Sequence, residues 1–295
     1  MDWQRECAAV IPCFDEAARI GMVVAGVQKH LAKVIVVDDG STDFTATEAG
    51  AAGAEVLRLP RNSGKGQALQ SGWRRAREQG FSWVLMLDGD GQHAAADIAT
   101  FFACAAQTGA ALVVGNRMGN ATAMPWLRRQ TNQWMSKRIS GLTGAVLPDS
   151  QCGFRLAHLE TLLALPISAR RFEIESAMLV AFLNARRKVE FVPVQTIYHG
   201  RASKIKPFAD TARWLRWRLA QCTLACDWGT GTHLRNAFRL QIGRSAGFQP
   251  ALRVPVTEAV DNDRTVVQRS EAVSRSETGA PGAPRGCARS TIRFP

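Results

Sequence analysis

No run of about 18 consecutive apolar residues occurs in the 295-residue chain, so no transmembrane helix is expected. The opening Met1-Asp2-Trp3-Gln4-Arg5-Glu6 is charged and leads straight into a strand-like run, so no secretory leader is expected either. Seven cysteines are scattered without a CxxC pair or a histidine partner. That argues against a zinc site and a disulfide framework, and fits a reducing cytoplasm. Cys222 and Cys226 stand one helical turn apart, a spacing read as packing. The pattern GxxxxGK[ST] is absent, so Gly64-Lys65-Gly66 is not a triphosphate-binding P-loop. No GxGxxG follows the first strand-like run, where Pro12 to Glu16 stand instead, so a dinucleotide-binding fold is not indicated. No internal repeat is visible.

The chain is 46% hydrophobic, enough for a globular core, and carries a net charge of +12 with a pI near 10.1. Such a charge suits nucleic acid, an anionic membrane or a phosphorylated substrate. From Arg201 to Arg218 the basic residues Arg201, Lys204, Lys206, Arg213, Arg216 and Arg218 face one acid, Asp210. No nucleic-acid-binding motif accompanies them, so nucleic acid is not an expected partner.

The first half alternates regularly. "CAAVIPCF", "KVIVVDDGS", "AEVLRLP", "SWVLMLD" and "ALVVGN" read as strands, and the segments between them as helices. Continuous apolar strands between helices predict a parallel sheet covered on both faces, a doubly wound α/β domain. In such sheets ligands gather at the carboxyl ends of the strands. In the second half, Leu127 to Leu142 reads as a basic helix and "PDSQCGFRLAHLETLLAL" as a loop followed by a helix. "FEIESAMLVAFLNARR" reads as a further helix and "VEFVPVQTIYH" as a strand. Residues 207–226 read as a basic amphipathic helix closing a catalytic domain of residues 1–230. Trp214 and Trp217 lie on or near its apolar side, as core residues or as lipid anchors. Residues 243–295, rich in Gly, Pro, Ser and Arg without periodicity, read as a disordered tail.

Four polar tips follow the first four strands: Pro12-Cys13-Phe14-Asp15-Glu16, Asp38-Asp39-Gly40-Ser41, Asn62-Ser63-Gly64-Lys65-Gly66 and Asp88-Gly89-Asp90-Gly91-Gln92. Crowded carboxylates repel one another unless a cation sits among them. Oxygen donors from Asp and Gln suit Mg²⁺ or Mn²⁺, which also bind substrate phosphates. The small Gly89 and Gly91 read as room for a diphosphate. Lys65 reads either as a solvated cation at a helix start or as a ligand to the substrate. His93 reads as a loop histidine, and Arg155 as a support of the fold rather than a substrate contact.

Eight segments carry a family resemblance: "VIPCFDE", "VIVVDDGSTD", "NSGKGQAL", "LMLDGDGQH", "VVGNRM", "DSQCGFR", "FEIESAML" and "HGRASKIKPFADT". In this order, from about Ala8 to about Leu219, they resemble a family 2 glycosyltransferase of the GT-A fold. The likeness is to the dolichol- or polyprenyl-phosphate mannosyltransferase-like branch. The resemblance implies that Pro12, Phe14 and Glu16 line the nucleoside and that Asp38 and Asp39 belong to the same site, Asp39 holding base or ribose. Lys65, Asp88 and Gly89 would meet the nucleotide, and Asp90 with Gln92 would bind Mg²⁺ or Mn²⁺. Arg201 and Lys204 would close over the diphosphate. Arg117, with Arg128, Arg129 and Asn132, would hold an acceptor phosphate, and Asp149 would lie on the acceptor side. Asp88, Asp90 and Arg117 would thus carry the catalysis. The chain departs from the family at Asp15, where Asn is usual, and at His199-Gly200-Arg201.

The expected protein is an inverting, metal-dependent glycosyltransferase moving a sugar from a nucleoside-diphosphate donor to a polyprenyl phosphate. It would sit peripherally on an anionic membrane, at its cytoplasmic face. Transfer to a saccharide hydroxyl, and nucleotide-sugar binding without turnover, are the alternatives.

Overall fold

The computed structural model describes residues 1–119, 124–197 and 213–217. The strands are β1 (Cys7–Cys13), β2 (Lys33–Asp38), β3 (Glu55–Arg58), β4 (Trp83–Met86), β5 (Leu112–Asn116), β6 (Arg155–His158) and β7 (Val189–Pro193). They form one sheet in the order β3-β2-β1-β4-β6-β5-β7. The helices are α1 (Trp3–Glu6), α2 (Ala17–Gln28), α3 (Thr45–Ala51), α4 (Lys65–Glu78), α5 (Ile98–Thr108), α6 (Trp126–Thr143), α7 (Leu159–Ala164) and α8 (Ile174–Asn184).

Residues Cys7 to Ile11 are all buried. Successive strand side chains point to opposite faces, so both faces of the sheet are covered there. On one of them α4 packs tightly, because Gly72 brings its backbone onto Val10 of β1 and Val37 of β2. Fully burying one Val, Leu or Ile side chain stabilises the fold by about 1.5–3 kcal/mol, and Val10, Ile11, Ile35, Val36, Val37, Val84 and Leu85 are all buried in β1, β2 and β4. Burial also raises the Cys7 thiol well above its ordinary range and the Cys152 thiol to about 11, so both stay protonated packing groups.

The expected parallel sheet holds with one exception. β1, β2, β3 and β4 pair in parallel, as do β5 and β7. The segment read as a loop before a helix contains β6, which runs antiparallel between β4 and β5. Its four residues, Arg-Leu-Ala-His, are too few and too mixed to show a strand pattern. They are extended because both edges offered there need a partner. The direction of β6 has a consequence for the site. The other strands end at one edge of the sheet, and β6 begins there, so the loop Asp149 to Phe154 arrives among their carboxyl-end tips.

Candidate active site

The tips of β1, β2 and β4 are brought level by register, with Cys13 opposite Asp38 and Val10 opposite Met86. Asp15 has a left-handed backbone, φ 51°, a conformation that Asp and Asn adopt more readily than most residues. Its carboxylate accepts the Thr42 N–H at 2.9 Å, and its own N–H donates to Ser41 Oγ at 2.9 Å. The departure from Asn therefore keeps a turn that either residue can make. The Glu16 N–H donates to Thr45 Oγ1 at 2.8 Å. Glu16 is buried, whereas Pro12 and Phe14 are half-buried at the tip.

The two acids after β2 differ. Asp38 is fully buried; it accepts the Ser41 N–H at 2.9 Å and lies 3.3 Å from Arg58 Nε. It shapes the turn between β2 and the residues that follow. Asp39 accepts the N–H groups of Ser63 and Gly64 at 2.7 and 2.8 Å. It ties the third tip to the second. Burial pushes its carboxyl up, against those two hydrogen bonds. Gly40, at φ 74°, is held against the Arg61 backbone, which a Cβ would meet at 2.6 Å.

In the fourth tip the glycines have reasons other than room for a diphosphate. A Cβ on Gly89 would run into Cys13 Sγ of β1, and Gly91 has φ 73°. Gly89 closes the tip onto the neighbouring strand, and Gly91 turns it. Asp90 is half-buried, and its Oδ1 accepts the Gln92 N–H at 3.0 Å. Asp90 and Gln92 are tied together by that hydrogen bond, and both are half-buried, at a partly open position. Among the described residues no three His, Cys, Asp or Glu side chains gather into a metal cage. The donor set fits Mg²⁺ or Mn²⁺ completing its shell with substrate phosphate and water, the usual mode for these ions.

Lys65 is not solvated. Its Nζ lies 2.5 Å from Asp88 Oδ1 and 2.6 Å from Glu175 Oε1. Burial disfavours the ammonium, yet the two carboxylates hold its pKa above the ordinary lysine range. Burial likewise disfavours the Asp88 carboxylate, but Lys65, helped by His93, holds it well below the usual range. His93 Nε2 stands 3.5 Å from Asp88 Oδ2, and 31% of the Asp88 side chain remains exposed for a ligand. Gly153 backs this cluster: a Cβ there would lie 2.8 Å from Asp88 Oδ2 and 2.9 Å from Lys65 Nζ. The sequence reading named neither Glu175 nor Gly153 as a site residue. The second acid of "FEIESAML", Glu175, the one acidic residue on the mostly apolar α8, was the available signal.

On the far side of the tips, Arg117 donates from Nε and Nη2 to the two oxygens of Asp149, at 2.8 and 2.9 Å. The pair is buried. Burial raises the Asp149 carboxyl, and Arg117 outweighs it and holds the group below its ordinary range. Sequence reading placed both residues on the acceptor side without linking them. Asn132, also assigned there, is buried beside Met124, its Nδ2 4.0 Å from Met124 Sδ. Arg128 is half-buried and Arg129 exposed on α6. Arg155, as expected, supports the fold: it donates to the carbonyls of Cys152, Glu175 and Ser150 at 2.7, 2.6 and 2.9 Å.

Trp214 is buried, donates from Nε1 to Ser176 Oγ at 2.9 Å, and packs against Trp134 and Trp217. It is a core residue, not a lipid anchor. Arg201 and Lys204, most of the predicted helix 207–226, Cys222 and Cys226, and the tail 243–295 lie outside the described residues.

Comparison with known proteins adds to this geometry. The profile described as "Glycosyl transferase family 2" matches residues 8–164. The UDP-N-acetylglucosamine–dolichyl-phosphate N-acetylglucosaminyltransferase of Methanococcus voltae is 29% identical over 64% of this chain and 84% of its own. The polyprenol monophosphomannose synthase of Mycolicibacterium smegmatis is 28% identical over 54% of this chain and 64% of its own. Among solved structures, glucosyl-3-phosphoglycerate synthase of Mycobacterium tuberculosis, with Mn²⁺, UDP-glucose and glycerol 3-phosphate, superposes with a TM-score of 0.55. That alignment has 22% identity and spans 77% of this chain and 82% of the other.

Proposed function

The chain belongs to glycosyl transferase family 2 and has the GT-A fold, and from that premise we propose that it transfers a sugar from a nucleoside-diphosphate donor to a polyprenyl monophosphate. The observation that carries the acceptor class is the state of the carboxylates beyond the donor and metal tips. A sugar hydroxyl is a poor nucleophile and needs a base beside it. The two buried carboxylates nearest in role, Asp149 and Glu175, are engaged by Arg117 and Lys65. A phosphate monoester is already an anion near neutral pH, with a second pKa of about 6, and needs no base. Relatives named for dolichyl phosphate and polyprenol acceptors point the same way.

In this reading a phosphate oxygen attacks the anomeric carbon from the face opposite the diphosphate. The bond from that carbon to the diphosphate oxygen breaks, and the configuration inverts. A Mg²⁺ or Mn²⁺ held by Asp90 and Gln92 would supply charge neutralisation for the departing diphosphate. Asp88 orients the donor, Asp39 keeps the loop 62–64 in place, and Arg117 with Arg128 and Arg129 lowers the repulsion between the incoming phosphate and the diphosphate. Arg201 and Lys204, which lie outside the described residues, are assigned to the donor diphosphate by the family resemblance alone. The test is a panel of UDP- and GDP-sugars with Mn²⁺, offered a short polyprenyl phosphate or 3-phosphoglycerate, with products identified by mass spectrometry. A glycosylated lipid phosphate is the expected product. Transfer to 3-phosphoglycerate alone, or to a saccharide hydroxyl, would replace the lipid acceptor.

The same reading puts the enzyme on an anionic membrane surface, at its cytoplasmic face. Among the described residues no helix is long and apolar enough to cross a membrane. α6 contains Arg128, Arg129, Lys137 and Arg138 and no acidic residue. Trp126 is 72% and Leu127 65% exposed at its start, and Arg138 lies over the Trp134 ring at 5.4 Å. Exposed tryptophan and leucine among basic side chains suit the interface of an anionic leaflet. Salt-sensitive co-flotation with phosphatidylserine vesicles is expected. Lys137→Gln with Arg138→Gln should weaken it roughly thirtyfold, at about 1 kcal/mol per charge. Binding indifferent to both salt and these substitutions would refute the surface.

A further inference from the structure

We propose that Glu175 is a positioning residue for the donor and metal site, acting through Lys65 on Asp88. The inference rests on the reading of the Asp88 to Gln92 tip as that site. Lys65 stands between two carboxylates at nearly equal distance, 2.5 Å from Asp88 and 2.6 Å from Glu175. Held from both sides, the Lys65 ammonium cannot swing to Asp88 alone, so Glu175 sets where the ammonium stands and, through it, where the Asp88 carboxylate stands.

The surroundings hold the three groups in this arrangement. Lys65 is the first residue of α4, and Gly64 and Gly66 let that helix start lie against the backbone of Ala169 and Arg170. The Gln67 N–H donates to the Arg170 carbonyl at 3.0 Å, and Gln70 Nε2 to the Ala169 carbonyl at 2.9 Å. This segment leads directly into α8, whose first turn carries Glu175. Arg155 Nη1 fixes the Glu175 carbonyl at 2.6 Å. Gly153 and His93 close the other sides of Asp88, so its carboxylate has little freedom except as Lys65 directs it. Glu175 Oε2 is buried without a hydrogen-bond donor among the described residues. A carboxylate buried at that cost for packing alone would be better replaced by an apolar side chain. Its retained contact is the one to Lys65.

The experiment measures Mn²⁺ affinity by electron paramagnetic resonance in the presence of UDP or GDP, alongside melting temperature and the kcat and KM for the donor. Glu175→Gln should weaken Mn²⁺ binding roughly tenfold, the lower end of the range for residues that orient a metal's ligands, because Glu175 acts through Lys65 and Asp88 rather than on a ligand directly. Glu175→Asp, which keeps the charge and shortens the reach, should recover part of the loss. In a Lys65→Met background, Glu175→Gln should change the affinity less than about twofold, because the relay is already cut. Wild-type Mn²⁺ affinity in a Glu175→Gln protein that only melts earlier would overturn the proposal, as would an equal loss in the Lys65→Met background. If Glu175→Gln does not fold, Glu175→Asp alone decides, by weakened or unchanged Mn²⁺ affinity. No Mn²⁺ binding by the wild type with either nucleotide would overturn the metal-site reading itself, and this proposal with it.

Discussion

Replacing Asp90 with alanine should abolish sugar transfer while leaving the fold intact. Asp90 lies in the turn after β4 and is half-buried, so its removal opens no cavity in the sheet. The local loss is its hydrogen bond from the Gln92 N–H, worth about 0.5–1.5 kcal/mol. The chemical loss is larger. A divalent ion that takes up charge on a leaving diphosphate supplies several kcal/mol in the transition state, and each 1.4 kcal/mol is about tenfold in rate. A fall of at least about a thousandfold is expected. Donor binding should weaken only when Mn²⁺ is present, because the carboxylate acts on the nucleotide through the ion. Wild-type protein in EDTA should then match Asp90→Ala in donor affinity and in rate. Donor titrations with and without Mn²⁺ give the comparison, and unchanged turnover of the variant in Mn²⁺ would end the metal reading.

Breaking the Arg117–Asp149 pair from either side should destabilise the protein by about 3–5 kcal/mol, because each single deletion leaves an uncompensated buried charge. Both groups are almost wholly buried and make two short, charge-assisted hydrogen bonds. This changes how their substitutions are interpreted. Sequence reasoning expects Asp149→Asn to retain turnover and Arg117→Ala to lose it. The pair adds that both variants melt early, so activity has to be measured where each is folded. Replacing both with apolar side chains, Arg117→Met with Asp149→Leu, should recover most of the melting temperature. A folded double variant without activity assigns Arg117 to the acceptor phosphate as well as to the fold. A folded and active one confines Arg117 to the fold.

The pH dependence follows from the sign of the Asp149 shift. Its folded carboxyl lies below the ordinary value, which is near 3.9 in an unfolded chain. The stability contributed is therefore full above about pH 4 and is lost as pH falls through the lower folded value. Between pH 5 and pH 9 the pair does not titrate, and wild-type stability should not change on its account. Near-total loss of transfer in Asp149→Asn, assayed where the variant is folded and still binds donor, would instead mark a general base. The acceptor would then be a hydroxyl.

Much of the site was legible in the sequence because it depends on local pattern. Apolar runs such as "KVIVV" and "WVLML" must be buried, and the polar residues that follow must emerge at their carboxyl ends. Parallel pairing then brings the tips of β1, β2 and β4 to one edge. That reasoning placed Asp39, Asp88, Asp90 and Gln92 together without coordinates. It could not say which way each side chain turns: Asp38 and Asp39 are adjacent in sequence, yet one is sealed in the turn and the other clamps the loop 62–64. It could not see β6, whose four residues carry no strand pattern and whose antiparallel direction delivers Asp149 and Gly153 to the same edge. Nor could it pair Lys65 with Glu175, or Arg117 with Asp149. Periodicity reports which face of its own element a residue occupies. Ion pairs between distant segments depend on strand direction, register and the close approach that Gly64, Gly66 and Gly153 permit, and these are properties of the packed chain as a whole.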